Sequence, residues 1–293
     1  MSPERDERVG RSLEDSLAGV GREVRAILER CLSGGDLTVS EAVALCGVTG
    51  RDLQALILAA DHLRREQVGD VVTYVVNRNI NFTNVCTKAC RFCAFARTQR
   101  STEGYFLDVD EVVRRAVEAR ALGATEVCLQ AGLAPGLDGR FYVDLLRAVK
   151  AAAPDVHVHA FSPEEVKYGA GLLGVPIPAY LAELQAAGLG SLPGTSAEVL
   201  DDGVRGRISP GRITTAEWIE VIQSAHRLGL PTTSTLMFGH VESDAERMGH
   251  LGLLRTLQRE SRGFTEFVPL SFVHEEAPLF RKQVAGAQPG PGG

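Results

Sequence analysis

Three cysteines within eight residues carry the strongest chemical signal in the sequence. Cys86, Cys90 and Cys93 are spaced C-x3-C-x2-C within residues 77–97. A closed structural zinc site uses four protein ligands, and no fourth Cys or His lies within twenty residues on either side. Three thiolates leave one coordination position open, which suits a four-iron cluster with one iron free for an outside ligand. A zinc knuckle or three free thiols is the alternative.

This spacing, with Phe92 before the last cysteine, resembles the signature of the radical S-adenosylmethionine (SAM) enzymes. The resemblance implies that the open iron binds the amino and carboxylate groups of SAM, with Phe92 in the cofactor site. It also implies that electron transfer from the cluster cleaves SAM to a deoxyadenosyl radical. Four segments narrow the resemblance to one subgroup: I-N-F-T-N-V-C, H-A-F-S-P-E-E, S-L-P-G-T-S-A-E-V-L-D-D and G-F-T-E-F-V-P-L.

That subgroup contains FO synthase and two menaquinone-pathway enzymes, aminofutalosine synthase and the futalosine cyclase. Over about residues 25–282 the sequence is most similar to the family of the tyrosine-dependent subunit of FO synthase. Thr195 in P-G-T favours this family, because the menaquinone enzymes tend to have a second Gly there. The menaquinone activities, and a truncated inactive relative, are the alternatives.

The resemblance implies a transferase that joins the 4-hydroxybenzyl group of L-tyrosine to 5-amino-6-(D-ribitylamino)uracil. The implied cofactors are one 4Fe-4S cluster and SAM. The implied partners are a second FO synthase subunit, which is a radical SAM enzyme that closes the deazaflavin ring, and a reductant protein of unknown identity.

Composition narrows the class of protein further. The 293 residues allow one large or two ordinary domains, and 44% apolar content allows a sizeable core. A formal charge of -6 argues against general nucleic-acid binding. The clustered cysteines do not resemble a disulfide framework, and an iron cluster needs reduced thiols, so we expect a cytoplasmic protein. No apolar signal segment or run of eighteen apolar residues is present, so we expect no membrane span.

The chain is expected to have four segments. Residues 1–18 are polar and predicted to be disordered, and residues 19–70 form an N-terminal helical segment with a helix start at Ser40. Cys31 and Cys46 in this segment are interpreted as small buried hydrophobes. Residues 71–282 form the barrel core, and residues 283–293 are a Gly/Pro-rich tail that cannot form a core element.

Alternating strand and helix patterns define the predicted fold. Strands are expected at 71–82, 126–131, 156–161, 189–192, 232–238 and 266–270. Helices are expected at 109–122, 141–153, 179–187, 215–228 and 245–260. Such repeated units predict a parallel α/β fold. With the resemblance, this becomes a radical SAM partial TIM barrel, (β/α)6, with an N-terminal helical segment and a truncated C-terminus.

Polar residues alternate along the first and third predicted strands. Asn77, Asn79 and Asn81 share one face, and so do His157 and His159. Because the helix-facing side should be apolar, these residues are expected to point into the lumen. A polar lumen is costly unless it is solvated or filled by a ligand, so the sequence predicts an open barrel with its active groups at the carboxyl ends of the strands.

The resemblance also suggests contacts to SAM. Gln130 and Gly132 end the second strand, where the superfamily binds the amino group of SAM. The alternative for Gly132 is a glycine that only marks the change from strand to loop. Glu198 lies where the family often places a ribose or SAM contact, and the alternative is an acid that stabilises a helix dipole.

Two histidines are the candidate catalytic residues. His159 is expected to face the lumen, and His240 ends the fifth strand, where it either contacts substrate or is a structural histidine. Ser162 and Glu165 fit a helix-capping pair, whereas Glu164 is left open. We expect at most one of the two adjacent acids to face the site.

Overall fold

The computed structural model describes residues 13–282 and 286–290. The chain divides into two compact units, Met1–Tyr74 and Val75–Gly293. Among the described residues, no helix is long and apolar enough to cross a lipid bilayer.

The first unit is helical, as predicted. Its named helices are α1 (Arg22–Leu32), α2 (Val39–Cys46) and α3 (Gly50–Val68). Helix α2 begins at Val39, one residue before the expected start at Ser40, and Thr38 caps it. The Thr38 hydroxyl accepts from the Glu41 amide, and the Glu41 carboxylate accepts from the Thr38 amide at 2.8 Å.

Two predictions for the first unit are wrong. Residues 13–18 are helical, and Leu13 and Leu17 are buried against Leu28 of α1. Predicted disorder is therefore wrong for this stretch, while residues 1–12 lie outside the described part. Cys31 is buried as expected, but Cys46 is exposed because the short helix α2 buries only Leu45.

The second unit contains two parallel sheets. Strands β1 (Asn77–Ile80), β2 (Glu126–Leu129) and β3 (His157–Ala160) pair in that order, and β4 (Thr232–Phe238) pairs with β5 (Phe264–Ser271). Residues 190–192 bridge the sheets, since Ala160 N donates to Ser191 O at 3.0 Å and Thr233 N donates to Leu192 O at 3.0 Å. The predicted fourth strand is thus reduced to this bridge, between Gly190 and Pro193.

Helices cover the outer face of these strands. The five predicted helices are α4 (Val109–Ala121), α5 (Phe141–Ala152), α7 (Ile177–Ala186), α9 (Thr215–Arg227) and α10 (Asp244–Ser261). Three further helices are α6 (Pro163–Leu173), α8 (Asp202–Ile208) and α11 (Pro278–Arg281). The sequence pattern did not predict α8 and α11, because they lie in segments interpreted as loops. For α6 it predicted only the start, as the capping pair Ser162 and Glu165.

The predicted alternation along the strands is confirmed. Ile80 and Val158 are fully buried in the main core with the helices, whereas Asn79 and His157 are exposed on the opposite face. Strand β1 is shorter than expected, because residues 71–76 form no strand and Val71 is exposed. The run of apolar residues before Asn77 was therefore not sufficient to predict a strand. Of the predicted tail, residues 286–290 contain neither helix nor strand, and residues 283–285 and 291–293 lie outside the described part.

Candidate active site

The three cysteines line one cavity at the carboxyl ends of β1, β2 and β3. The cavity has a volume of about 170 Å³, and Cys86, Cys90 and Cys93 form one wall. Side chains and backbone from the cysteine loop, the strand ends and the segment before α9 complete it: Phe92, Gln130, Gly132, Glu164, Glu165 and Arg212. The position agrees with the rule that parallel barrels place their sites at the carboxyl edge.

Backbone hydrogen bonds hold the cysteine loop against the segment after β2. Thr87 N donates to Leu133 O at 2.9 Å, and Gly132 N donates to Thr83 O at 2.9 Å. A Cβ atom on residue 132 would lie 2.3 Å from Val85 O, which is closer than real Cβ contacts allow. Gly132 therefore lets the two main chains meet, which gives it a structural role in the loop that holds the cysteines.

The thiols suit a cluster better than a single zinc ion. Sulfur ligands of one tetrahedral zinc lie about 3.8 Å apart. Among the residues that the structure describes, the three sulfur atoms do not form a set within 4.8 Å of one another. Burial raises the pKa of the Cys90 thiol to about 12, and the nearby Arg212 offsets this only in part. Burial therefore disfavours a free thiolate at Cys90.

Arg212 organises the charges around the cavity, and the sequence analysis missed it. Its Nη1 donates to Glu198 Oε1 at 3.1 Å, its Nε donates to Glu164 Oε2 at 3.4 Å, and its guanidinium lies 6.0 Å from the Phe92 ring. Burial works against its charge, but the negative charges of Glu198, Cys90 and Glu164 outweigh burial and raise its pKa. No local pattern marks Arg212, because it follows the turn Ser209–Gly211 in a loop.

A second buried arginine supports the loop that carries Glu198. Arg205 on α8 donates to four backbone carbonyls, those of Ser196, Ala197, Val199 and Ile213, at distances from 2.6 to 3.4 Å. Ser196 and Glu198 have positive φ angles of 62° and 40°, a backbone region that non-glycine residues seldom adopt. The guanidinium therefore holds a strained loop in place.

Glu198 is left with one unused oxygen. Its Oε2 is buried and has no hydrogen-bond donor, and Arg205 Nη1 lies 3.6 Å away. Such an orphaned acceptor is costly unless a ligand fills it. Glu198 does not line the cavity itself, but it contacts the cavity through Arg212.

Both adjacent acids face the cavity, so the expectation that at most one does so is wrong. Glu165 forms the predicted capping box with Ser162, and its other oxygen accepts from Ala131 N at 3.0 Å. Burial raises the pKa of Glu165 to about 7, although these hydrogen bonds oppose the shift. Glu164 accepts from Ile213 N at 2.6 Å and lies 3.2 Å from Lys88 Nζ.

The Gln130 side chain is fixed on two sides. Its Oε1 accepts from the Thr195 hydroxyl at 2.8 Å, and its Nε2 donates to Cys128 Sγ at 3.1 Å. The side chain thus links the end of β2 to the P-G-T segment across the mouth of the barrel, and it also lines the cavity.

The candidate catalytic histidines lie away from the cavity wall. His159 pairs in register with Cys128, two residues before Gln130, and so lies one layer deeper in the lumen. Burial, and then His157, lower the pKa of His159 to about 4, so the ring is neutral. His240 is buried, with Nε2 3.0 Å from Met237 O and Nδ1 accepting from Val241 N at 2.7 Å. Main-chain contacts at both nitrogens are typical of a structural histidine.

Comparison with known proteins identifies close relatives. The family description of the Radical SAM superfamily matches residues 80–254. The 5-amino-6-(D-ribitylamino)uracil–L-tyrosine 4-hydroxyphenyl transferase of Methanothermobacter thermautotrophicus is 51% identical over 249 residues, which are 85% of this chain and 68% of the relative. FO synthase of Mycobacterium tuberculosis is 51% identical over 255 residues, 87% of this chain, but this chain spans only 29% of that protein.

A solved structure shares the fold. Methylornithine synthase superposes with a TM-score of 0.67 at 18% identity, covering 87% of this chain and 70% of that one. The likeness confirms the predicted partial barrel.

Proposed function

Because this chain belongs to the radical SAM superfamily, we propose that it is the transferase that joins the 4-hydroxybenzyl group of L-tyrosine to 5-amino-6-(D-ribitylamino)uracil. The observation that carries the proposal is the cysteine cavity at the carboxyl edge of the barrel, in a chain 51% identical to a relative with this activity in its name. The relatives extend beyond the aligned part, so the activity of the whole protein is part of the proposal.

Cys86, Cys90 and Cys93 would hold one 4Fe-4S cluster. The C-x3-C-x2-C spacing and the position of all three thiols on one cavity wall support a cluster bound by this loop. Together with SAM, the bound cluster supplies a carbon radical able to abstract a hydrogen atom.

The chain's own residues would position SAM in the cavity. Gln130 is held rigid by Thr195, and Gly132 exposes backbone beside the cysteine loop. Glu198 does not line the cavity, so it would act on SAM through Arg212, whose guanidinium it holds at 3.1 Å. The Phe92 ring lies 6.0 Å from the Arg212 guanidinium and would help to orient it toward the cavity.

The polar lumen would bind the substrates below SAM. Asn79 and His159 present hydrogen-bonding groups there, which suits a uracil ring and a ribityl chain. Because the His159 ring is neutral, one of its nitrogens carries a free lone pair that can accept a hydrogen bond from a substrate. His240 is a candidate catalytic residue only because it lies just after the end of β4. Its main-chain contacts favour a structural role.

Thr195 supports the tyrosine-dependent activity over the menaquinone-pathway alternatives. Its hydroxyl makes the hydrogen bond that fixes Gln130, and a glycine at this position has no side chain to make it. The chain carries a single cysteine triplet, so a second radical SAM site would close the deazaflavin ring, and a reductant protein would supply electrons. Six free thiols suit a reducing compartment such as the cytoplasm.

An anaerobic assay tests the proposal. Protein reconstituted with iron and sulfide is mixed with reductant, SAM, tyrosine and the aminouracil, and deoxyadenosine and the benzyl-uracil adduct are measured by mass spectrometry. We expect both products from the wild type, and neither product nor bound iron from Cys93→Ser. The control Cys46→Ser, in the first unit, should match the wild type.

Two outcomes contradict different parts of the proposal. Deoxyadenosine without the adduct would refute the substrate assignment. Zinc in place of iron in the reconstituted protein would refute the cofactor assignment.

A further inference from the structure

A second group of metal-binding side chains lies in the lumen, apart from the cysteine cavity. Glu126 is the first residue of β2, and His157 and His159 are the first and third residues of β3. The parallel register pairs Glu126 with His157, and alternate strand residues share a face, so all three point into the lumen. Their nearest carboxylate and imidazole atoms all lie within 4.8 Å of one another.

Both imidazoles converge on one hydroxyl group. His157 Nε2 and His159 Nδ1 each lie 2.7 Å from Ser191 Oγ, and Glu126 Oε2 lies 3.8 Å from His157 Nε2. A serine hydroxyl has one proton, so it can donate to only one of the two rings. Two nitrogen donors, a carboxylate oxygen and a hydroxyl oxygen therefore surround one point.

The backbone around this point is shaped for the ring of His157. A Cβ atom on residue 190 would lie 2.4 Å from His157 Cε1 and 2.6 Å from its Nδ1. The glycine at this position therefore leaves the space that the His157 ring occupies. Asn77 Nδ2 donates to Glu126 Oε1 at 3.3 Å, which leaves Oε2 free. The His157 side chain is 43% exposed, so an ion can reach the group from solvent.

We propose that Glu126, His157 and His159 form a second metal site, which binds a divalent transition-metal ion such as Zn²⁺. Two histidines and one glutamate are a known set of three protein ligands for zinc, with the fourth position open. Ser191 Oγ or a water molecule completes the tetrahedron. Zinc–nitrogen bonds of about 2.0–2.1 Å place neighbouring donors about 3.3 Å apart. Glu126 Oε2 and His157 Nε2, now 3.8 Å apart, would therefore move together by roughly 0.5 Å on binding, and Ser191 Oγ would move slightly away from the two rings.

The test removes competing thiols first. The full chain carrying Cys86→Ser, Cys90→Ser and Cys93→Ser lacks the cysteine site and is titrated with Co²⁺ and then with Zn²⁺ under reducing conditions. We expect one equivalent of tightly bound Co²⁺, with the visible absorption of a tetrahedral site, without a strong sulfur-to-cobalt charge-transfer band. Zn²⁺ should displace it.

Two further variants in that background locate the ion. Glu126→Gln and His157→Gln should each weaken Zn²⁺ binding by at least about 10-fold. Mutation of a residue that only hydrogen-bonds to a metal ligand often lowers metal affinity by this factor, so loss of a ligand itself should lower it at least as much. His62→Gln is the matched control, because His62 pairs with a glutamate on an exposed helix face outside the group. Glu126→Gln leaves the packing of His157 on Gly190 intact, so it decides the question if His157→Gln does not fold.

Three results would overturn the proposal. They are no binding in the background protein, binding that both variants retain, and an absorption spectrum with sulfur ligation.

Discussion

Replacing Arg205 by lysine tests whether a buried guanidinium holds the loop beside the cavity. Arg205 is only 4% exposed and donates to four backbone carbonyls. A lysine ammonium has three donors on one atom, so at least one carbonyl loses its partner, and the fork geometry leaves a second one poorly aligned. Each buried acceptor without a partner costs about 1–3 kcal/mol, so Arg205→Lys should lower the unfolding free energy by about 2–4 kcal/mol.

Urea unfolding of the cluster-free protein measures this loss. The matched control is Arg114→Lys on α4, where the arginine is 61% exposed and pairs with Glu111 one turn away. Such an exposed surface pair contributes little to stability, so the control should unfold like the wild type. SAM affinity of the reconstituted variant should also fall, because Arg205 fixes the loop that carries Glu198. If Arg205→Lys unfolds within about 0.5 kcal/mol of the control, the carbonyls are not held as described and the reasoning fails.

Three further predictions concern Gly132, Glu165 and Thr38. Gly132→Ala should lose most of its bound iron and about 1–3 kcal/mol of stability, because its Cβ would meet Val85 O at 2.3 Å. Gly171→Ala, with no atom within 4 Å of its Cβ, should bind iron normally. The folded pKa of Glu165 is raised from 4.5 to about 7, so its contribution to stability is present below pH 4.5 and lost as pH rises through 7. The unfolding free energy of the wild type, relative to Glu165→Gln, should therefore fall by about 3 kcal/mol over that range; a flat difference would show that the carboxyl is ionised throughout. Thr38→Ala should cost about 1 kcal/mol in thermal or urea unfolding and leave iron content unchanged, because it removes only a helix cap.

Local patterns predicted the elements whose causes are local. Ser162 and Glu165 were interpreted as a capping pair from four consecutive residues, and the structure contains that capping box. The spacing of Cys86, Cys90 and Cys93 likewise marks a loop that presents three thiols. Each of these features depends on neighbours within eight residues of the chain, so a single sequence is enough to predict it.

Features that depend on distant contacts could not be predicted in this way. Arg205 and Arg212 resemble the surface arginines of other segments. Only the folded chain shows that Arg205 is buried and that Arg212, 12% exposed, pairs with Glu198. The positive φ angles of Ser196 and Glu198 could not be predicted from the sequence either, because neither residue type favours that region of backbone conformation. Sequence reasoning therefore missed the two arginines that set the charge beside the cavity, although it singled out the three cysteines that line the cavity wall.

The charges around the cavity explain why the thiols and their ligands should bind together. Arg212, Arg205 and Lys88 place three cations near two carboxylates, those of Glu164 and Glu198, which leaves an excess of positive charge in a largely buried region. An excess of buried positive charge favours anionic partners. Thiolates bound to a cluster, and the carboxylate of SAM, both carry negative charge, and the pKa of free Cys90 shows that the thiol does not ionise alone. Ionisation of Cys90 and binding of the cluster should therefore be one coupled event, so that iron loading releases protons and weakens as the pH falls.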